Sequence, residues 1–210
     1  MNLIMEQLTS QNQTLMAYIN PSARQLIDNI IIQNMNVIDW GKSMAKCNEI
    51  IQKEVLKYSG IDAYDPETDV GCPEIDTANN SPGFDLIVKK NDGTIVRIQS
   101  KLRQVKGMTD FSRQTHFETT RRHSKKNKGV ASESGHIAYG CDEFDYVMVS
   151  LVNVGNQGEI RTNRNDVDKW SFTLIPVNEL INKETQCCIT QIPSNLLEQY
   201  KFDPKKSQLF

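Results

Sequence analysis

Ser81 to Gln104 reads SPGFDLIVKKNDGTIVRIQSKLRQ. Two runs rich in branched apolar residues, FDLIVKK and TIVRIQSKLR, flank the turn-forming tripeptide Asn91-Asp92-Gly93, which is the pattern of a β-hairpin. Both runs also carry polar groups out of keeping with a core strand: Asp85 in the first, Gln99 and Lys101 in the second. Side chains alternate faces along a strand, so Gln99 and Lys101 point the same way. The turn decides where Asp85 points. A two-residue Asp92-Gly93 loop pairs Asp85 with Ser100 and sends its carboxylate to the opposite face. A three-residue loop, a type I turn followed by glycine in the left-handed region, pairs Lys90 with Thr94 and Asp85 with Gln99. The sequence permits both.

In the second register an acid, an amide and a lysine share one face near the open end of the hairpin. Asp85 then supplies a hard anionic oxygen and Gln99 a neutral carbonyl oxygen, a pairing suited to Mg²⁺, with the next backbone carbonyl and waters completing an octahedron. Lys101 supplies a compact cation that steadies charge developing on a phosphoryl oxygen. Together they suit metal-assisted hydrolysis of a phosphodiester.

PGFDLIV followed by QSK, with thirteen residues between Asp85 and Gln99, resembles the PD-(D/E)xK nuclease superfamily in its QxK variant, as found among type II restriction endonucleases. The resemblance covers about residues 43–152. It includes the run HIAYGCDEFDYVMVSLV, which looks like the next core strand of such enzymes, entered through an acidic turn. Pro82 stands apart from the acid instead of directly before it, a departure from the pattern. The resemblance implies an α/β (α+β) domain with a central mixed β-sheet flanked by helices, a restriction-endonuclease-like core. It also implies catalytic roles for Asp85, Gln99 and Lys101, with Asp85 and Gln99 as metal ligands. A further acid is expected on the preceding helix, and Glu49 fits that place better than Glu54. Glu49 would hold a second metal or its water. Double-stranded DNA as substrate, Mg²⁺ as cofactor, 5′-phosphate products, a homodimer cutting two strands and a cognate DNA methyltransferase in the same system follow from the same likeness.

The rest of the chain fits one domain over residues 1–210, with N-terminal helices to about residue 60, the core over 43–152 and a C-terminal part over 153–210. Of the 210 residues 38% are hydrophobic and 24% charged, an ordinary globular composition. Leu26, Ile27, Ile30, Ile31 and Met35 recur at helical spacing within Ala23–Val37. A second helix is expected from Ser43, as its cap, to Tyr58, with Met44, Cys47, Ile51 and Val55 as its apolar stripe and Ser59-Gly60 as its end. Residues 62–82 read as loop, Phe144–Val152 and Trp170–Ile175 as strands, and the tail from Pro176 as a short helix, a short strand and an amphipathic segment. The absence of a run of eighteen apolar residues argues against a membrane span. The start of the chain, MNLIMEQLTSQNQ, does not read as a secretory signal, and the expected location is cytoplasmic. Five scattered cysteines read as reduced thiols, and no zinc-ligand spacing accompanies the three histidines.

The whole-chain charge of −2 hides an asymmetry: Arg97 to Lys128 carries ten Lys/Arg against two acids, a local +8. Local sign governs where a polyanion docks. Read as a helix, Phe111–Lys125 places Gln114, Arg121 and Lys125 near one face and Arg122 and Lys126 near its neighbour. These residues, with Arg103 on the hairpin and Asn163 and Arg164 in the polar run EIRTNRND, are the candidates for phosphate and base contacts. Two other readings stand beside restriction: a structure-specific nuclease of repair or recombination, and a non-catalytic DNA-binding protein that keeps the fold.

Overall fold

The computed structural model describes residues 40–72, 83–105, 139–153, 170–185, 187–189 and 191–206, together with Gln25, Asn29, Thr115 and His116. Among them the architecture is α+β: a six-stranded mixed sheet with helices beside it. Helix α1 (Trp40–Tyr58) precedes a three-residue strand β1 (Asp62–Tyr64), then β2 (Leu86–Lys89) and the long β3 (Ile95–Val105). After the two-residue β4 (Thr115–His116) come β5 (Tyr146–Asn153) and β6 (Ser171–Pro176). A 3₁₀ turn (Val177–Leu180), β7 (Gln191–Ile192), α2 (Ser194–Gln199) and β8 (Lys201–Phe202) follow. The sheet order is β1-β2-β3-β5-β6-β8, all neighbours antiparallel except the central β3–β5 pair, and β4 pairs with β7 apart from it.

Helix α1 ends where expected. Gly60 adopts φ 77°, its N–H donates to Lys57 O at 2.9 Å, and the Ile61 N–H reaches back to Leu56 O at 3.0 Å, a Schellman closure. Its start corrects the expectation: the helix begins at Trp40, so Ser43 lies inside the first turn and is not the cap. Asp39, also a capping residue type, stands directly before Trp40 in the sequence, and composition alone does not choose between them. Residues 62–82 are not all loop. Asp62–Tyr64 adds an antiparallel edge to β2, a segment too short for alternation to reveal. The helical reading of Phe111–Lys125 is corrected at its middle, because Thr115 and His116 pair in register with Ile192 and Gln191. Of the expected helix at Ala23–Val37, Gln25 and Asn29 are described and both are helical.

Alternation divides the sheet into two cores. Cys47, Ile51, Val55 and Leu56 of α1 pack on Leu86, Val88, Val96, Ile98, Met148, Phe172 and Leu174. On the other face Ile87, Val147, Val149, Leu151 and Ile175 meet Tyr139, Phe144, Leu180, Ile192 and Leu197. Between α1 and the sheet runs a polar row: Asn48 donates to Ser100 Oγ at 2.7 Å, and Gln52 donates to Met148 O at 3.0 Å and Ser150 Oγ at 2.9 Å. These directional bonds fix where α1 sits along β3 and β5, which apolar contact alone would not.

The hairpin takes the three-residue register. Leu86 pairs with Ile98, Val88 with Val96 and Lys89 with Ile95, and the Lys90 N–H reaches Thr94 O at 2.9 Å. The Gly93 N–H closes on Lys90 O at 2.9 Å, Gly93 stands at φ 86°, and the Asp92 carboxylate accepts from the Thr94 N–H at 2.8 Å. Continuing the register by one residue sets Asp85 opposite Gln99. A Cβ on Gly93 would meet nothing within 4 Å, so a substitution there tests backbone strain alone. We expect Gly93→Ala to cost about 1 kcal/mol in urea denaturation, the price of a left-handed residue with a side chain; an unchanged midpoint would show that the turn does not need its positive φ.

Candidate active site at the open end of the hairpin

Ser100 is tied to α1 through Asn48, so its neighbours Gln99 and Lys101 project from the opposite face of β3. Asp85 lies just before β2, where its carboxylate accepts from both the Gln99 side-chain amide and the Ser100 N–H, the latter at 2.8 Å. Gln99 is 6% exposed, and its amide also reaches the Ser100 carbonyl at 3.3 Å. Rotation about its last side-chain bond exchanges the amide N and O, so the same position can present a carbonyl oxygen beside the carboxylate. Lys101 sits one pleat further along. Its ammonium donates to the Tyr139 hydroxyl at 2.8 Å and lies 4.8 Å from the centre of that ring. Tyr139 is itself held edge-on against buried Phe144, with ring centroids 5.5 Å apart.

Glu49 comes from the helix. It shares with Asp85 a cleft of about 350 Å³ also lined by Ala45, Lys46, Asp65, Pro66 and Glu67. Two lysines two turns apart lash the 65–69 turn to α1. Lys46 Nζ lies 3.0 Å from both Glu49 and Asp65, and Lys53 grips both oxygens of Asp69 at 2.8 and 2.9 Å. The Lys46–Glu49 pair is asymmetric. Burial works against the Lys46 charge, but hydrogen bonds from Glu49 and Asp65 outweigh it and hold the ammonium well above the usual lysine range. Burial, and then the Asp85 charge, raise the Glu49 carboxyl, and Lys46 offsets only part of this.

The acidic turn before β5 packs against the approach to Asp85. A Cβ at Gly83 would stand 2.6 Å from Glu143 Cβ, a contact no relaxed structure tolerates, so Gly83 is what lets the two segments meet. Asp145 then pins β5 to β3. Its carboxylate accepts from the Arg97 N–H at 2.8 Å and from the guanidinium at 3.1 and 3.2 Å, one residue outside the Ile98–Tyr146 pair that opens the parallel ladder.

Of the sequence-derived candidates, Asp85 and Gln99 are in contact, Glu49 faces Asp85 across the cleft, and Lys101 follows on the Gln99 face with its ammonium on Tyr139. Arg103, next on that face, has its Nε buried without a hydrogen-bond partner. Gln114, Arg121, Arg122, Lys125, Lys126, Asn163 and Arg164 lie outside the described residues. Lys46, Asn48, Gln52, Asp65 and Tyr139 are contributors that the sequence reading passed over. The polar pair Asn48 and Gln52, spaced i,i+4 inside the apolar stripe of α1, was the available signal for two of them. All five cysteines are free, and burial pushes the Cys188 thiol up to about 12 and Cys47 up to about 11, which leaves both unreactive.

As for a cation, the carboxylates of Asp85 and Glu49, the Gln99 amide oxygen and the Ser100 carbonyl are oxygen donors of the kind that Mg²⁺ takes. Among the described residues no group of three His, Cys, Asp or Glu is placed to hold a metal ion. No helix among the described residues is long and apolar enough to cross a membrane. No protein-family model, curated protein or solved structure matches the chain.

The Glu49 environment makes a pH prediction. An acid whose folded pKa is raised destabilises the fold once ionised, so the penalty is absent below its ordinary range, grows as pH rises through the raised value and is complete above it. In chelator-containing buffer Glu49→Gln should therefore melt above the wild type at pH 7 and level with it at pH 4. A variant that melts lower at pH 7 would show that Lys46 compensates Glu49 fully.

Proposed function

We propose that the chain is a Mg²⁺-dependent endonuclease of double-stranded DNA, of the type II restriction kind, on a restriction-endonuclease-like core. The observation that carries this reading is the contact of Asp85 with Gln99 at the hairpin mouth, with Lys101 one pleat on and Glu49 across the cleft. The element order supports it: an acid-bearing helix, an antiparallel hairpin and a parallel strand beside the second hairpin strand.

When bound, a divalent cation supplies positive charge beside a phosphate and makes a water more acidic. Asp85, the rotated Gln99 amide and the Ser100 carbonyl are the groups that hold it, with Glu49 in reach of the same cleft. Lys101 places an ammonium where negative charge grows on the phosphoryl oxygens, and the Tyr139 hydroxyl fixes that ammonium in direction. A water oxygen bonds to phosphorus in line as the bond from phosphorus to the 3′ oxygen breaks. The water proton leaves to solvent and the departing oxygen takes one up, giving a 5′-phosphate and a 3′-hydroxyl. Arg103, its Nε unsatisfied, is suited to a neighbouring phosphate. Two such sites in a homodimer would cut both strands, and a cognate methyltransferase in the same system would protect host DNA.

One observation favours a non-catalytic DNA binder instead: as placed, the Gln99 amide is satisfied by Asp85 and needs no cation. Plasmid DNA incubated with the protein and Mg²⁺ separates the readings. Discrete fragments are expected, with Asp85→Ala and Lys101→Ala lowering cleavage by at least about 100-fold while DNA retardation persists. A smear would favour a structure-specific or nonspecific nuclease, and retardation without cleavage the binder. Tyr139→Phe, which keeps the ring and removes only the oxygen, should lower kcat about 10-fold with KM unchanged; a rise in KM alone would remove it from the positioning of Lys101.

A further inference from the structure

Lys101 is tied to the chain on both faces of the sheet. On one face its ammonium meets the Tyr139 hydroxyl at 2.8 Å. On the other, its main-chain carbonyl accepts from the side-chain amide of Gln52, on helix α1, at 3.3 Å. The same amide reaches Met148 O at 3.0 Å and Ser150 Oγ at 2.9 Å, on either side of Val149, the register partner of Lys101 on β5. Gln52 therefore spans the seam between the two central strands at the level of Lys101. One turn earlier on α1, Asn48 holds Ser100 Oγ at 2.7 Å, so two consecutive residues of β3 are bonded to the helix that carries Glu49. Gln52 is fully buried, and its amide oxygen has no hydrogen-bond partner among the described residues. An apolar side chain of the same length would fill the space without that orphan oxygen, so packing does not account for an amide here. What the amide adds is a donor directed at both strands.

We propose that Gln52 is a positioning residue for Lys101, acting on its main chain from the sheet face opposite the ammonium. The inference rests on the nuclease reading above and adds a helix residue to the groups that aim the lysine. A lysine ammonium rides on a flexible four-carbon stem, so Tyr139 can direct it only if the stem starts from a fixed point. Gln52 fixes that point against β5, the strand that Tyr139 leads into. A displacement of about 1 Å at a reacting group costs on the order of 100-fold in rate, so a loosened origin is felt at the ammonium. The amide has two N–H groups for three oxygens. Lys101 O and Ser150 Oγ therefore compete for it, and removal of the Ser150 hydroxyl leaves the bond to Lys101 O in place.

Single-turnover cleavage of plasmid DNA with Mg²⁺, read beside thermal melting, tests this. Gln52→Met, close to glutamine in length and volume, should melt near the wild type yet cleave at least about 10-fold more slowly at saturating DNA, with DNA affinity unchanged. Ser150→Ala disturbs the same buried row but spares the bond to Lys101 O, and should cleave as the wild type does. In a Lys101→Ala background Gln52→Met should bring no further loss, because the group it positions is gone. Gln52→Leu serves in its place should the methionine variant fail to fold. A wild-type rate in the folded Gln52 variant, an equal loss in Ser150→Ala, or an undiminished loss in the Lys101→Ala background overturns the inference and leaves the nuclease reading standing. No cleavage by the wild type overturns that reading and this inference with it.

Discussion

Strand alternation leaves β3 no freedom once its loop length is set. Three residues close the turn from Lys90 to Thr94, and from that point Val96, Ile98 and Leu102 are committed to the α1 core. Burying each such side chain is worth roughly 1.5–3 kcal/mol, so the register is held by several apolar anchors together. Gln99 and Lys101 inherit their direction from those anchors. A slip of one residue would carry them into the α1 core and bring Ile98 out, an exchange no polar contact at the mouth could compensate. The polar groups are therefore placed by their apolar neighbours.

The second requirement is a helix that stops at one place along the sheet. Apolar packing alone would let α1 slide, and the Asn48 and Gln52 bonds prevent it. Both side chains keep one buried amide oxygen without a partner, so the row is not optimised for stability. What it secures is position: Glu49, next to Asn48, is carried over the end of the hairpin to face Asp85. The half-buried Glu49 and Asp85 carboxylates repel one another across the cleft, and the Lys46 and Lys53 ties to the 65–69 turn hold the wall in spite of them. Local rules broken at one point and supported around it are the usual mark of a functional site.

These particulars explain what could be read beforehand. Gly93 sits at the one position of a three-residue loop that needs positive φ, and strands of branched residues on either side made the hairpin visible. Strands β5 and β6 were long and apolar enough to place within a residue or two. Strand β1 was invisible because three residues, one of them a surface Asp, carry no period. Strand β4 was misread because its partner, Gln191–Ile192, lies some seventy-five residues away, and a two-residue pairing at that distance leaves no local trace. The site shows the same division. Acid, amide and lysine were legible because alternation relates them, while Tyr139 was not, since only the β5 entry brings it to Lys101. Lys46 was hidden for another reason: an i,i+3 pair on an exposed-looking helix is common, and only the 65–69 turn gives it a second anchor.

Charge ties the cleft to the rest of the chain. Four carboxylates line it against one ammonium, and a phosphate would be repelled from Asp85 before reaching Lys101. By its sign alone, the +8 stretch from Arg97 to Lys128 would on the nuclease reading attract the same phosphate. On the nuclease reading these opposing fields have a common resolution: a cation at Asp85 and Gln99 turns the mouth of the hairpin from repulsive to attractive. Occupancy by the cation and close approach of DNA then favour one another, and by linkage each must tighten the other by the same factor. The half-buried carboxylates of the cleft would in that case make the approach of DNA depend on the cation that cutting requires.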